Sequence, residues 1–279
     1  MPTMDNQRRA GASSRRARSG AKGSASGMTR PLDATLRVLI LGGTTEAREL
    51  SESLAARAGI EASVSLAGRT RNPLVLPAPT RSGGFGGVEG LAAHLRAENI
   101  DVLIDATHPF AAIMSRNAAE AAALAGVPLL ALVRPEWERE PGDIWVEVAD
   151  VPQAVAALGK TPRRVLVTLG RNEVGALEAA PQHDYLIRSI DPVEPPLALP
   201  SARYIETRGP FIKAEEHALL LANNIDAILA KNSGGSASYA KIAAARTLGI
   251  EVIMITRPAR PQVETAASVE EALAWLERL

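Results

Sequence analysis

Arg37-Val38-Leu39-Ile40-Leu41-Gly42-Gly43-Thr44-Thr45-Glu46-Ala47 reads as one buried strand, one tight turn and the opening of one helix. The apolar run 38–41 is short and stops at two glycines. A continuous run of this length suits a parallel strand covered on both faces. Beyond the glycines, Ala47, Leu50, Leu54 and Ala55 recur at helical spacing. Such a turn aims backbone N–H groups and the positive end of a helix dipole at one point, which makes it an anion site, most often for phosphate.

Working outward, Gly42 holds the first position of the dinucleotide spacing G-x-G-x-x-G, Thr44 the second and Ala47 the third. Alanine is accepted at the third position, where helix and strand pack closely. Thr44 is the departure: a hydroxyl there can bond a phosphate oxygen but keeps the backbone further away. Taken alone, the turn also fits an ordinary strand–helix junction of an α/β domain.

The rest of the chain repeats this rhythm. Strands are expected at 38–41, 62–66, near 80–85, 102–105 and 128–133, with helices at about 45–58, 88–97 and 111–125. Alternation of this kind implies a parallel, doubly wound sheet. Right-handed crossovers gather the Gly42-Gly43 turn, the Gly68-Arg69-Thr70-Arg71 loop and the Thr107-His108 loop on one carboxyl edge. A second unit starts near Glu140-Pro141-Gly142, with strands expected at 145–148, 165–169, 185–190, 203–207, 227–230 and 252–256 and helices at 152–158, 214–222, 236–248 and 268–278. The fold class is therefore α/β: two Rossmann-like domains, each with a mainly parallel sheet flanked by helices, and a ligand cleft between them. The expected division is 1–34, 35–138 and 139–279.

Composition bounds the chemistry. A hydrophobic content of 46% in 279 residues supports packed cores rather than disorder. Without cysteine, disulfides, thiolate catalysis and cysteine-held metals are excluded. The four histidines show no metal-ligand interval, so no metal is expected. Lys plus Arg and Asp plus Glu balance at 31 each, but residues 1–34 are rich in Arg, Ser, Gly and Ala without apolar periodicity. They read as a disordered basic extension, either a solvated tail or sequence upstream of a start at Met28. The paired arginines are followed by no apolar segment of an export signal. No apolar run approaches the about 20 residues of a membrane span. A cytoplasmic monomer that engages neither nucleic acid nor membrane is expected.

Arg69 and Arg71 follow the second strand, where a dinucleotide site meets the adenosine ribose. An acidic residue there would select NAD. Arginine matches a 2′-phosphate, so NADP is favoured, against a solvated loop charge as the alternative. His108 stands at a strand's carboxyl end, positioned for ligand contact or for a structural role. Lys231-Asn232-Ser233-Gly234-Gly235-Ser236 is a second strand–turn–helix cradle carrying a lysine, or a purely structural turn. Arg171, Arg208 and Lys231 all stand at strand ends of the second unit, and three converging cations imply a ligand with several carboxylates or phosphates. None of Tyr185, Tyr204 and Tyr239 is followed four residues later by lysine, which removes the short-chain reductase pattern, and G-x-S-x-G is absent.

In order, Gly42-Gly43-Thr44-Thr45-Glu46-Ala47, Ser65-Leu66-Ala67-Gly68-Arg69-Thr70, Asp105-Ala106-Thr107-His108-Pro109-Phe110, Arg134-Pro135-Glu136-Trp137, Leu169-Gly170-Arg171, Arg208-Gly209-Pro210-Phe211 and Lys231-Asn232-Ser233-Gly234-Gly235 form a series that resembles the precorrin-6A reductases. Each motif is weak alone; the ordered series, from Arg37 to the C-terminus, is specific. The resemblance implies an NADPH-dependent reductase of cobalamin biosynthesis that reduces one carbon–carbon double bond of precorrin-6A, a macrocycle with many carboxylates, to give precorrin-6B. It further implies that Gly43, Thr44, Thr45 and Glu46 lie at the pyrophosphate, Arg69 and Thr70 at the 2′-phosphate, and Thr107 and His108 at the nicotinamide half. Arg171, Arg208, Lys231, Ser233 and Gly234 fall on the substrate side, and Lys231, set among other cations, is the candidate proton donor. Two other classes stand beside this one: a regulator that binds NADPH without turnover, and a phosphosugar or nucleotide-sugar enzyme using both cradles.

Overall fold

The strand–turn–helix of residues 37–47 is the centre of the first of two sheets. A computed structural model describes residues 35–68, 71 and 75–279; the basic segment 1–34, Arg69 and Thr70 lie outside the described residues. β1 (Leu36–Leu41) leads through the glycine turn into α1 (Thr45–Ala55). Then come β2 (Ile60–Leu66), β3 (Thr80–Ser82), α2 (Val88–Ala97), β4 (Val102–Asp105), α3 (Ala112–Ala125) and β5 (Leu129–Leu132).

β1 is apolar throughout because both its faces are covered. Val38 and Ile40 enter one core with Leu50 and Leu54 of α1, while Leu39 and Leu41 enter the other with Leu91 and Leu95 of α2 and Ala118 of α3. Each of these fully buried Val, Leu and Ile side chains contributes roughly 2 kcal/mol over an exposed one. The turn is fixed by packing as well. A Cβ on Gly42 would lie 2.9 Å from Val64 Cγ1, and Gly43 has φ +120°, a region that disfavours side chains.

The second sheet is built from β6 (Trp145–Val148), β7 (Arg164–Val167), β8 (Asp184–Ser189), β9 (Ala202–Glu206), β10 (Ala227–Lys231) and β11 (Glu251–Ile255). Its helices are α4 (Val151–Ala157), α5 (Lys213–Ala222) and α6 (Ala240–Leu248), with a short 3-10 helix over Val174–Ala179. The strand order is β6-β11-β10-β7-β8-β9, parallel throughout. All six strands expected from the sequence are present, shifted by a residue or so.

The chain end departs from the sequence reading. β12 (Glu264–Ala266) pairs in parallel with β5, giving the first sheet the order β12-β5-β4-β1-β2-β3. α7 (Val269–Leu276) follows, capped by the Ser268 hydroxyl, which accepts from Glu271 N. The helix expected at 268–278 in the second unit thus covers the first sheet. Its Val269, Ala272, Trp275 and Leu276 fill the same core as Val38 and Leu50, so β5 gains a partner strand and α1 a neighbouring helix. A second difference is at α6. It starts at Ala240 rather than Ser236, because residues 236–239 form a turn whose carbonyls are used elsewhere: Ala237 O accepts from Phe211 N at 3.1 Å and Ser238 O from Lys241 Nζ at 2.7 Å.

The chain crosses between the sheets twice, at 133–144 and 256–263, each time leaving the carboxyl end of a strand, β5 and then β11. Among the described residues no helix is long and apolar enough to cross a membrane.

Candidate active site

The first sheet presents its glycine turn as an open surface. A Cβ placed on Gly43 would meet nothing within 4 Å, so a ligand can approach the backbone there. Thr44 is the N-cap of α1. Its hydroxyl accepts from Ala47 N at 3.1 Å and donates to Ala106 O at 2.8 Å, tying the β1 turn to the end of β4. The one hydroxyl proton is therefore committed inside the protein, and what the turn offers an anion is backbone N–H and the helix dipole. Thr45 opens α1. Glu46 turns away toward Arg134, 2.7 Å from its Nη1.

Beside this turn, β4 ends in buried Asp105. Oδ1 accepts from Thr107 N at 3.1 Å and from Thr107 Oγ1 at 2.6 Å, and Oδ2 from Arg260 Nη2 at 2.8 Å. These bonds shape the Thr107–His108 turn. His108 Nδ1 accepts from Phe110 N at 3.3 Å, which places the ring proton of the neutral form on Nε2. Burial first, and then the surrounding Arg134, Lys231, Arg257 and Lys241 cations, hold the imidazole down to about 3, so it is uncharged at neutral pH. Phe110 leaves the first half and packs against the second sheet's core.

Residues 134–137 and 231–235 brace one another. Asn232 is buried and exchanges two hydrogen bonds with the Trp137 backbone, at 2.8 and 2.9 Å, while Trp137 Nε1 donates to Gly235 O at 2.7 Å. Ser233 O accepts from Arg134 Nε at 2.7 Å and from Arg257 Nη2 at 3.1 Å. Arg257 also donates to the carbonyls of Asn232, Arg134 and Pro135, which joins the two crossings side by side. Gly234 has φ +68°, and a Cβ on it would sit 2.0 Å from Pro135 O. The loop expected as an anion cradle therefore has its glycines pressed against residues 134–135.

The expected cations of the second sheet differ in their surroundings. Lys231, read as one of three converging cations, lies 2.6 Å from Glu173 Oε1 and bonds both Glu173 oxygens, with its Nζ 4.8 Å from the centre of the Phe110 ring. Arg171 is half-buried after β7 and makes no ion pair among the described residues. Arg208 is exposed after β9. Arg71, expected near the 2′-phosphate, bridges to the second half: its N–H faces both Asp191 carboxylate oxygens at 3.3 Å and its guanidinium pairs with Glu194. Glu173, Asp191, Arg257 and Arg260 were not singled out from the sequence. The one local hint was for Glu173, three residues beyond Gly170, whose N–H it accepts at 3.3 Å.

A sequence-family model described as "Precorrin-6x reductase CbiJ/CobK" matches residues 37–277. A precorrin-6A reductase of Sinorhizobium sp. is 57% identical over 237 residues, covering 85% of this chain and 91% of that protein. One from Rhodobacter capsulatus is 49% identical over 240 residues, covering 86% and 95%. A solved structure described as CobK precorrin-6A reductase superposes with a TM-score of 0.84 at 48% identity, covering 88% of this chain and 97% of that one. The motif series, the two parallel sheets and these likenesses agree, and the chain belongs to the precorrin-6x reductase family.

Proposed function

We propose that this chain is an NADPH-dependent oxidoreductase that reduces one carbon–carbon double bond of precorrin-6A, giving precorrin-6B in cobalamin biosynthesis. Its relatives carry the name precorrin-6A reductase at 57% and 49% identity over most of their length. The observation that carries the cofactor assignment is the Gly42–Gly43 turn. It is closed to side chains at Gly42 and open at Gly43, and it stands at the N-terminus of α1 on the carboxyl edge of a parallel sheet. That combination fits a dinucleotide pyrophosphate.

In this reading the first sheet, residues 35–138 with the returning 264–276, holds the nucleotide, and loops of the second sheet take the macrocycle. The backbone N–H groups of Gly43, Thr44 and Thr45 bind the pyrophosphate, and Glu46 fixes Arg134 beside it. Arg69 and Thr70 bind the 2′-phosphate. Thr107 and uncharged His108 border the nicotinamide half, where a neutral imidazole offers its Nε2–H without adding charge. When bound, NADPH supplies the hydride. Arg171, Arg208 and Lys231, with Ser233 and Gly234 in the loop behind them, face the substrate's carboxylates. Lys231 remains the candidate proton donor, positioned by both Glu173 oxygens.

The test is loss of the reduced-nicotinamide absorbance on mixing the protein with precorrin-6A, in wild type and Arg69→Ala. Turnover with NADPH but not NADH, and a raised NADPH KM in the variant, are expected. Tight NADPH binding with no turnover of cobalt-free or cobalt-bearing macrocycle would refute the reductase reading and leave a regulator.

A further inference from the structure

Three large aliphatic side chains are exposed just beyond the carboxyl ends of strands, one in the first half and two in the second. Ile113 is 72% exposed in the first turn of α3, Ile190 is 51% exposed directly after β8, and Ile212 is 60% exposed just before α5. Each follows the carboxyl end of a strand. Each also lies within a few residues of a contact already described. Ile113 is three residues past Phe110, whose ring meets Lys231. Ile190 precedes Asp191, which takes the Arg71 N–H from the first half. Ile212 follows Phe211, whose N–H bonds Ala237 in the loop braced on Trp137.

Scattered exposed aliphatics need no explanation, but exposed aliphatics that follow strand carboxyl ends, where α/β sites form, are candidates for ligand contact. Cations follow strands of the second sheet at the same end as Ile190 and Ile212: Arg171 after β7, Arg208 after β9 and Lys231 at the end of β10. Apolar side chains among cations complement a ligand with flat apolar faces and a carboxylate periphery. By contrast, exposed Leu124 and Leu221 lie in the last turns of α3 and α5, which run back toward the opposite edge.

We infer that Ile113, Ile190 and Ile212 form an apolar rim that contacts the faces of the macrocyclic substrate, while Arg171 and Arg208 take its peripheral carboxylates. This rests on the reductase reading above and adds the residues that distinguish a tetrapyrrole from a smaller polyanion. Removing an aliphatic contact from one ligand face weakens binding about tenfold.

The experiment measures KM for precorrin-6A and for NADPH in wild type, Ile113→Ser, Ile190→Ser, Ile212→Ser and the control variants Leu124→Ser and Leu221→Ser. All five substitutions are at exposed positions, and circular dichroism checks each fold. A rise of about fivefold or more in the precorrin-6A KM of the three rim variants is expected, with the NADPH KM and both controls unchanged. Active wild type with unchanged rim variants, or an equal rise in the controls, overturns the rim. Wild type that binds NADPH without turning over precorrin-6A overturns the reductase reading itself, and the rim with it.

Discussion

Asp105→Asn should damage both the fold and cofactor binding, by an amount that follows from its partners. The Asp105 side chain is 2% exposed and that of Arg260 17%. Asparagine can keep its Oδ1 for Thr107 N and Oγ1. Its Nδ2, however, would face Arg260 Nη2 where a carboxylate oxygen now lies 2.8 Å away. One charge-assisted hydrogen bond, worth about 1.5–3 kcal/mol, is lost, and two donors are left opposed, at about 1–3 kcal/mol. Arg260 Nη1 is already buried without a partner among the described residues, so the guanidinium has nothing in reserve there. The sum matches the cost of breaking a buried ion pair, about 3–5 kcal/mol. Partial exposure of Arg260 argues for the lower end, about 3 kcal/mol. For a fold of this size that is a fall of about 6–12 °C in Tm.

The cost lies in the stranded cation rather than in the missing acid, and a double-mutant cycle separates the two. Arg260→Met added to Asp105→Asn removes both charges and should recover at least half of the lost stability in urea denaturation, with a marked coupling energy between the sites. The NADPH KM should follow the state of the Thr107–His108 turn: raised in Asp105→Asn and partly restored in the double variant. A single variant within about 1 kcal/mol of wild type, or a double variant whose losses simply add, would refute the reasoning.

Three further outcomes follow from the same contacts. His108 is held down to about 3 in the fold against an ordinary value of 6.5, so the unfolded chain binds the extra proton first and stability is lost as pH falls from about 6.5 toward about 3; His108→Gln should flatten that decline in denaturation series, and an unchanged slope would argue against it. Lys241 is buried on α6, donates to Ser238 O and packs against Trp137, and desolvation beside Arg188 outweighs Glu216 to hold it down to about 7; stability should therefore rise between pH 7 and 10, and Lys241→Met should abolish that rise. Gly234→Ala would place a methyl 2.0 Å from Pro135 O at φ +68°, so it should cost about 2 kcal/mol or more in urea denaturation, and a loss below about 0.5 kcal/mol would mean the brace is loose.

Much of the architecture could be read from the sequence because it rests on local periodicity. The run 38–41 is apolar at every position, and in the fold its alternate residues enter two different cores. The strand–helix rhythm of the second half was legible for the same reason. What could not be read was where the chain end docks. β12 is only three residues long, Glu264-Thr265-Ala266, and carries no apolar alternation. The periodicity of α7 reveals an apolar face but not which sheet receives it. Membership was decided by the unpaired edge of β5 and the space beside α1, both of which exist only once the first sheet has formed. α6 starts four residues beyond the expected Ser236 because the carbonyls of Ala237 and Ser238 are held by Phe211 and Lys241, partners that helical spacing does not reveal.

The candidate site shows the same boundary between local and distant information. A glycine turn at a strand end, or a histidine after a buried strand, is a property of adjacent residues. Whether a cation at a strand end serves a ligand or the protein depends on acceptors far along the chain. Arg257 stands at such an end and looks, in sequence, no different from Arg171. Yet the first crossing and the loop after β10 leave carbonyls at 134, 135, 232 and 233 outside any strand ladder, and Arg257 donates to all four. A buried carbonyl without a donor is costly, and a guanidinium with five N–H groups satisfies several at once. Lys231 has Glu173, Arg134 has Glu46, and Arg71 has Glu194 by the same logic. Much of the positive charge at these strand ends is therefore held by partners within the protein, with Arg257 and Arg71 joining the two halves. Arg171, which makes no ion pair among the described residues, is the cation whose removal should change substrate affinity with the least change in stability.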